Sequence, residues 1–526
     1  MTKQLSDILH GVSYTTDEVV SGIAIRAVVA DSRKVEPGSL FVCVKGLVVD
    51  GHDYVAAAAA KGAVAIIANR DRMQTLSRDH SLPILWVRDT RKAMGNIAAA
   101  FYDHPAAGLI MVGLTGTNGK TTTSYILEEV IRCAGGNPGV IGTINYRYGG
   151  GEFPAPFTTP EPLELQRLLR EMVNSGVTHV VMEVSSHALA MYRIQGLLFD
   201  VALFTNLTRD HLDYHFTMEA YYQAKKRLFV DYLKDSGVAV IVVEASEDDW
   251  GRRLYDELSA ARKGGLGALI ACGLGIAGCD ISAHNPVFRC GETRVAVQTS
   301  RGQVDVCSNL VGTFNLKNIV AAVGVAAGLR IDLASVTKAL AQTIRVPGRL
   351  EAISVPGCQG LPSVFVDYAH TPDALQSVLT TLRQLAPARL FVVFGCGGDR
   401  DPGKRALMGE IAGRLADVVI ITADNSRSES TESIMSEIER GVVMAGMERL
   451  DNHQKGDRGF ALISARVQAI AYAIDLATAA DIVLVSGKGH ETYQITVKGS
   501  QFFDDRQEAS KALAAKVQKM NNEGGE

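Results

Sequence analysis

The sequence predicts an α/β protein of three domains, and three observations carry that prediction. Its 526 residues exceed what one core organises, since domains run about 100–200 residues. Short apolar runs suited to buried strands alternate with stretches whose apolar positions recur at helical spacing. Hydrophobic residues make up 47 % of the chain and glycines number 51, which suits many tight strand-to-helix turns.

Composition narrows the function classes. Lys plus Arg total 53 against 57 Asp plus Glu, a net charge of −4, so no basic character points to nucleic acid. No apolar run approaches the ~20 uncharged residues of a membrane span. The start, MTKQLSDILHG, lacks a signal-peptide core and cleavage site. The eight cysteines are scattered without a C-x-x-C pair, which argues against a disulfide framework or a zinc site. The expectation is a cytoplasmic protein with neither nucleic acid nor membrane as partner.

The first domain is predicted over residues 1–107. Ile23–Val29 and Leu40–Val44 read as strands around the turn Asp31-Ser32-Arg33-Lys34. A short helix, Ala56–Lys61, ends at Gly62 before the strand Ala63–Ala68. The strand Leu82–Val87 and the helix Arg91–Tyr102 follow, and His104-Pro105 breaks the pattern. Asp31-Ser32-Arg33 suits an anionic or sugar ligand, but an Asx-turn with a solvated arginine is the simpler reading.

The central domain, 108–345, opens on its most informative stretch. Leu109–Val112 reads as a strand, Gly113–Thr123 (GLTGTNGKTTT) as a glycine-rich turn, and Ser124–Cys133 as a helix. Glycines let backbone amides approach phosphate oxygens, and the helix N-terminus adds partial positive charge. Lys120 can then reach terminal phosphates, and the Thr121 hydroxyl can hold Mg²⁺. The general pattern G-x-x-x-x-G-K-[ST] requires glycine at 114, where Leu114 stands, so this is a narrower kind of nucleotide loop.

Downstream come Phe157-Thr158-Thr159-Pro160, the helix Glu164–Val173 and the strand His179–Val184. Glu183 lies at that strand's carboxyl end, where α/β sheets place ligand groups, and a carboxylate there is a natural Mg²⁺ ligand. The strand Val201–Phe204 runs into Thr205-Asn206-Leu207-Thr208-Arg209-Asp210-His211-Leu212-Asp213. A nitrogen ligand is unusual for Mg²⁺, so His211 reads as a metal ligand or as a structural histidine. In the helix Met218–Leu233, the consecutive Lys225-Lys226-Arg227 reads as a solvated face. After the strand Val238–Val243, residues 265–307 alternate like an antiparallel ribbon. Gly312–Asn318 then opens the helix Ile319–Gly328; Asn315 and Asn318, one turn apart, face one ligand or serve as caps.

The last domain, 346–526, restarts the alternation after Val346-Pro347-Gly348-Arg349. Val364–Tyr368, Leu390–Phe394, Val418–Thr422 and Ile482–Ser486 read as strands of a doubly wound, mostly parallel sheet. Three of them end in polar segments: Gly395–Asp401 with Arg400, Asp424-Asn425-Ser426-Arg427, and Gly487–Glu491. In an open α/β sheet such ends converge on one crevice. Arg400 and Arg427 can each clamp a carboxylate, while Asp424 or Glu491 can take an ammonium, which suits an amino acid. A nucleotide loop facing an amino-acid crevice suggests ATP-driven joining of a carboxylate to an amine.

The motifs GTNGKTT, TTPEPLELQ, MEVSSHAL, TNLTRDHLDYH, YYQAKKRLF, GTFNLKNIVAAV, GRLE, VDYAHTPDAL, GCGGDRDPGKR, ADNSRSE and GKGHETYQ occur in this order. Together they resemble the Mur ligases of peptidoglycan synthesis. The likeness is strongest to the MurE type, which adds 2,6-diaminopimelate to UDP-N-acetylmuramoyl-L-alanyl-D-glutamate, and it runs from about Asp31 to Asp505. The resemblance implies an N-terminal UDP-sugar-binding domain, a central P-loop ATPase-like domain and a C-terminal Rossmann-like domain that binds the amino acid. It further implies a monomer using ATP and Mg²⁺.

Residue by residue, the resemblance implies that Gly116, Thr117, Asn118, Gly119, Lys120, Thr121 and Thr122 bind ATP phosphates. Thr121, Glu183 and His211 would surround Mg²⁺, and Lys225 would join them as an N-carboxylated lysine, with Lys226 its solvated neighbour. Asn315, Asn318, Arg349 and Asp367 would contact the nucleotide. Ser32 would touch the UDP-sugar, and Thr158, Thr159, Ser185 and Arg193 the muramoyl dipeptide. Arg400, Asp424, Asn425, Ser426, Arg427, Gly487 and Glu491 would receive meso-diaminopimelate.

Three departures stand out. Asp424-Asn425-Ser426-Arg427 carries serine where diaminopimelate enzymes have proline; the arginine is kept, so diaminopimelate is expected over L-lysine. Met191 replaces a polar residue near the dipeptide, and Leu47-Val48-Val49 a more polar segment near the uracil. The alternatives are a lysine-adding ligase, a folylpolyglutamate synthase, or a nucleotide-driven switch without synthetic chemistry.

Overall fold

A computed structural model describes residues 2–46, 49–76, 82–246, 249–261, 267–289, 292–355, 358, 360–450 and 458–523. Leu47 and Val48 of the uracil segment lie outside the described residues. Three separate α/β sheets dominate the chain.

The first sheet is parallel, with Ala27–Val29, Ser39–Val42, Ala63–Asn69 and Ile84–Val87 side by side in chain order. The expected strand Ile23–Val29 is split. Ala24–Ile25 pairs with Lys3–Gln4 instead, and between the halves the Arg26 N–H donates to Gly38 O at 2.9 Å. The helix Thr90–Phe101 starts where the Asp89 carboxylate accepts from the N–H groups of Arg91 and Lys92.

The second sheet has eleven strands. Its parallel middle runs, in spatial order, Pro138–Ile141, His179–Glu183, Ile110–Thr115, Phe199–Phe204, Leu233–Val242, Leu269–Leu274 and Ile281–Arg289. Antiparallel strands close both edges, and Glu292–Thr299 with Gly302–Ser308 form the ribbon expected there. The strand leading into the glycine-rich loop therefore lies between the strands that end at Glu183 and at Phe204. Two boundaries differ from expectation. The helix Met218–Val230 stops short of Leu233, because the Tyr232 carbonyl already accepts from Phe199 N–H. The helix Thr313–Gly328 starts earlier and takes in Asn315 and Asn318; it is apolar nearly all round and packs inside the domain.

The third sheet runs Glu351–Ile353, Ser363–Asp367, Ile482–Ser486, Leu390–Phe394, Val418–Ile421 and Gly459–Leu462, all parallel except the first. Glu351–Ile353 and Gly459–Leu462 were not apparent from the pattern. The last of the parallel strands in the chain, Ile482–Ser486, inserts between two earlier ones, so its loop emerges among theirs. Phe391 and Phe394 are fully buried on this sheet; truncating either to alanine costs about 3–5 kcal/mol. A hairpin, Tyr493–Thr496 with Gly499–Phe502, and the helix Asp505–Glu523 complete the domain. Among the described residues no helix is long and apolar enough to cross a membrane, and every described cysteine is free.

Candidate active site

The glycine-rich loop is shaped by its neighbour strand. Gly116 has φ 147°, and a Cβ there would meet Thr205 Oγ1 at 1.9 Å; Gly119 has φ 88°, and a Cβ would meet Asn318 Oδ1 at 2.3 Å. Both positions admit only glycine. The segment after Phe204 pins the loop: Thr205 Oγ1 donates to Asn118 O at 2.6 Å, and Asn206 Oδ1 accepts from Asn118 N–H at 2.9 Å. Thr117 Oγ1 accepts from Thr208 N–H at 3.0 Å. Thr205, Asn206 and Thr208 were not singled out as site residues; their signal was a polar run directly after a strand.

Two lysines converge on one carbonyl. Lys120 Nζ donates to Gly116 O at 2.7 Å and Thr117 O at 3.0 Å, and Lys225 Nζ donates to the same Gly116 O at 2.8 Å. Lys225 is 1 % exposed, which corrects the reading of that helix face as solvated. Its neighbours are not free either: Lys226 pairs with Glu257 at 2.9 Å, and Arg227 with Asp231 at 2.7 Å. Burial, with Lys120 nearby, pushes the Lys225 amine far below its ordinary value, and burial lowers Lys120 as well. A loop with two crowded amines facing backbone dipoles is built to receive anions.

Glu183 stands beside the loop at the end of its strand. Its Oε2 accepts from Thr121 Oγ1 at 3.0 Å and Thr143 Oγ1 at 2.9 Å, and its Oε1 from Thr143 N–H at 3.0 Å. Thr143 escaped the sequence reading, although it follows the end of the strand Pro138–Ile141. Among the described residues no three His, Cys, Asp or Glu side chains converge as a metal cage. One carboxylate with hydroxyls still fits Mg²⁺, which keeps water and phosphate oxygens in its shell. His211, at φ 54°, lines the same cleft, 3.5 Å from Asp210, its ring 4.9 Å from that of His187. Desolvation pulls its imidazole down to about 4, so at neutral pH a ring nitrogen keeps a free lone pair.

Around Glu183 the dipeptide candidates cluster. Thr158 Oγ1 is 3.1 Å from Thr143 Oγ1. Thr159 Oγ1 donates to Glu183 O at 2.8 Å and accepts from Ser185 N–H at 3.1 Å. Ser185 caps the short helix Ser186–Ala190. Arg193 donates to Thr159 O at 3.1 Å, pairs with Glu161 at 2.9 Å, and keeps a buried Nε without a hydrogen-bond partner among the described residues. Met191 Sδ lies 3.8 Å from the Arg193 guanidinium. Ser32 stands apart in the first domain, opening a 3₁₀ turn capped by Asp31. The Arg33 side chain and N–H hold the Asp31 carboxyl down at about 2, the Asx-turn geometry the residues suggest.

On the opposite side the third domain closes the cleft. Arg349 lies over the Tyr368 ring, 4.4 Å from its centroid. Asp367 accepts from the N–H groups of Leu350 and Ala369 at 2.6 and 2.7 Å, while burial pushes its carboxyl up. Asn318, Arg349 and Asp367 line a cavity of about 270 Å³ that also holds the loop residues 117–122, Glu183 and His211. Asn315 does not line it: its amide donates to Val311 O at 2.9 Å, and it borders a neighbouring cavity that also reaches Arg349.

The three polar strand ends of the third sheet meet in a second cavity of about 490 Å³, lined by Arg400, Asp424, Asn425, Arg427, Gly487 and Glu491. Arg427, at φ 52°, donates its N–H to Ile495 O at 3.1 Å and its guanidinium to Gly398 O at 2.7 Å. Asn425 Nδ2 donates to Glu491 Oε2 at 3.0 Å. Ser426 is buried behind them and does not line the cavity. Asp210, His211, Tyr368, His370 and Thr371 line both cavities, so the two are compartments of one cleft.

Comparison with known proteins shows the family. Three family models match: "Mur ligase family, catalytic domain" over residues 24–102, "Mur ligase middle domain" over 114–326, and "Mur ligase, glutamate ligase domain" over 348–489. A UDP-N-acetylmuramoyl-L-alanyl-D-glutamate–2,6-diaminopimelate ligase from Geobacter sulfurreducens is 43 % identical, covering 93 % of this chain and 94 % of the relative. A solved structure of a ligase with that name is 31 % identical, with a TM-score of 0.68 over 98 % of this chain and all of the other. The MurF ligase of Thermotoga maritima, solved in complex with ADP, shares the fold at 20 % identity and a TM-score of 0.58, covering 94 % of this chain and 98 % of its own.

Proposed function

The chain belongs to the Mur ligase family, and on that premise we propose that it is the ATP-dependent ligase that adds meso-diaminopimelate to UDP-N-acetylmuramoyl-L-alanyl-D-glutamate. The observation that carries this reading is the shared wall: an anion-seeking loop and a pocket of paired acids and arginines open on the same five residues. The domains we assign are 1–107 for the UDP-sugar, with Ser32 toward it, 108–345 for ATP and 346–526 for the amino acid. With nucleotide substrates on both sides, we place the reaction in the cytoplasm, carried out by a monomer.

Residues 116–122 cradle the ATP phosphates with backbone N–H groups and Lys120. Asn318, Arg349 and Asp367 hold the nucleoside end, with Asn315 bracing Asn318 at 3.4 Å. Thr121, Glu183 and His211 would hold Mg²⁺, which neutralises phosphate charge as the phosphoryl group moves. Lys225 acts as its carbamate: the neutral buried amine forms an N–C bond to carbon dioxide and releases a proton. The new anion relieves the crowding of two amines at Gly116 O and supplies oxygen toward the cleft.

Thr158, Thr159, Ser185 and Arg193 orient the dipeptide so that its carboxylate attacks the γ-phosphorus of ATP. The bond to the leaving ADP breaks and an acyl phosphate forms. In the adjoining compartment Arg427 and Arg400 clamp the distal carboxylate of diaminopimelate, and Asp424 and Glu491 take its ammonium, with Asn425 bracing Glu491. The free amine attacks the acyl carbon, inorganic phosphate leaves, and the amine gives up a proton. The two domains keep water from that intermediate.

The test is an amino-acid panel with purified protein, ATP, Mg²⁺ and the UDP-muramoyl dipeptide. We expect ATP-dependent product with meso-diaminopimelate. Equal or faster turnover with L-lysine overturns the choice of amine; ATP hydrolysis indifferent to every amino acid overturns ligation altogether.

A further inference from the structure

The groups that would face an incoming ammonium are held from behind by a side chain that does not line the cavity. Lys488, in the loop after the Ile482–Ser486 strand, is 0 % exposed. Its Nζ donates to Asn425 Oδ1 at 3.2 Å and Glu491 Oε2 at 3.3 Å, and lies 3.6 Å from Asp424 Oδ1. The Tyr493 ring closes another side, its centroid 5.5 Å from Nζ. Asp424 Oδ1 is buried and has no hydrogen-bond partner among the described residues. Asn425 is fixed in orientation, because its Oδ1 also accepts from Ile495 N–H at 2.9 Å. Only its Nδ2 is left to donate, and it donates to Glu491.

We propose that Lys488 is a positioning residue for amine selection: it holds Asp424 and Glu491 together as carboxylates and turns Asn425, so that the pair offers one net negative charge to the ammonium of the incoming amino acid. This rests on the amine-pocket reading above. Two buried carboxylates this close tend to share a proton unless a cation stands between them. Burial already pushes the Glu491 carboxyl up and Asp424 adds to it, while Lys488 and Asn425 pull the other way. Tyr493, Tyr368 and the buried Arg466 also act on Glu491, and His490 is its chain neighbour. The same cavity is lined by Arg400, Arg427, Lys404, Arg209, Asp210, Asp213, Asp401, His187, His211 and His370. Removing Lys488 takes away the cation that pulls Glu491 down, so Glu491 takes up its proton at higher pH. Ammonium binding then weakens as pH falls, where the intact pocket still holds both charges. A lysine that merely fills space predicts lower stability and no new pH dependence.

The experiment compares the parent with Lys488→Met and Lys488→Gln, measuring KM for meso-diaminopimelate and for ATP between about pH 6 and 9. We expect the diaminopimelate KM to rise ~10-fold or more at pH 7, and further toward pH 6, with the ATP KM within ~2-fold. The double variant Lys488→Met/Glu491→Gln, which removes one charge of each sign, should lose that added pH dependence. An unchanged diaminopimelate KM with a parent-like profile in both single variants overturns the proposal.

A second measurement needs no turnover and no change at Lys488: ¹³C NMR titration of the Glu491 carboxyl in the parent, assigned by the signal lost in Glu491→Gln. An ionised carboxyl at pH 7 supports the proposal; a protonated one overturns it. If the parent ligates no amino acid while Glu491 is ionised, the amine-pocket reading falls and the charge-holding role of Lys488 stands.

Discussion

Lys225 and Lys488 are both buried, at 1 % and 0 % exposure, yet their surroundings are opposite. Among the described residues Lys225 has no acid in hydrogen-bond reach; it shares the Gly116 carbonyl with Lys120, and its amine is pushed far down. Lys488 sits within 3.6 Å of two carboxylates. The spot where Lys120 and Lys225 meet is therefore short of anions and suited to take them up, as phosphate or as carbamate. The pocket of the last domain carries its own acids and arginines in balance, so its task is to discriminate among zwitterions. One cleft thus combines a site that collects charge with a site that matches it.

The largest expected effect breaks the central half of that contrast. Lys225→Arg keeps a cation but cannot form a carbamate, and we expect ligation to fall ~10³-fold, as when a charge-stabilising group is lost from a closed site. Full activity without added bicarbonate would remove carbamylation from the mechanism.

Next is Gly116→Ala. The added Cβ would lie 1.9 Å from Thr205 Oγ1, so the loop must shift. Expected is a ~10²-fold loss in kcat/KM for ATP with the diaminopimelate KM unchanged. An intact kcat/KM for ATP would mean that the loop adapts freely.

Arg427→Ala tests the other half. Loss of the carboxylate clamp should raise the diaminopimelate KM roughly 30-fold and leave the ATP KM alone, a cost of about 2 kcal/mol. If both KM values moved together, the two compartments would not be separable in energy.

The smallest effect belongs to the exposed pair Arg209–Asp401, which joins the two halves across the cleft at 3.6 Å. Solvent screening limits it, so Arg209→Ala should change kcat/KM by less than ~3-fold. A larger loss would make this pair a closure latch.

Much of the fold was legible in the sequence, because apolar runs and glycine turns report local backbone preference. The errors have local causes too. Ile23–Val29 reads as one strand by composition, but Arg26 is recruited by Gly38 and the halves go to different sheets. The site was legible where its residues are contiguous, as in the glycine-rich loop, or where a polar run follows a strand, as at Asp424–Arg427. It was not legible at Thr143, which reaches Glu183 across a chain separation of 40 residues. Nor was it legible at Lys225, whose sequence neighbours suggest a wet helix face.

By itself, then, the sequence determined the phosphate loop, the strand ends and the types of groups they carry. Those depend on φ, ψ and hydrophobic period, which are properties of neighbouring residues. Only the tertiary structure decided which charges are buried and which are paired. Inserting the Ile482–Ser486 strand between Ser363–Asp367 and Leu390–Phe394 brings Lys488 to Asp424, and packing the Met218–Val230 helix under the loop strips Lys225 of water. Burial and charge pairing arise from contacts between distant segments, so no local pattern can announce them.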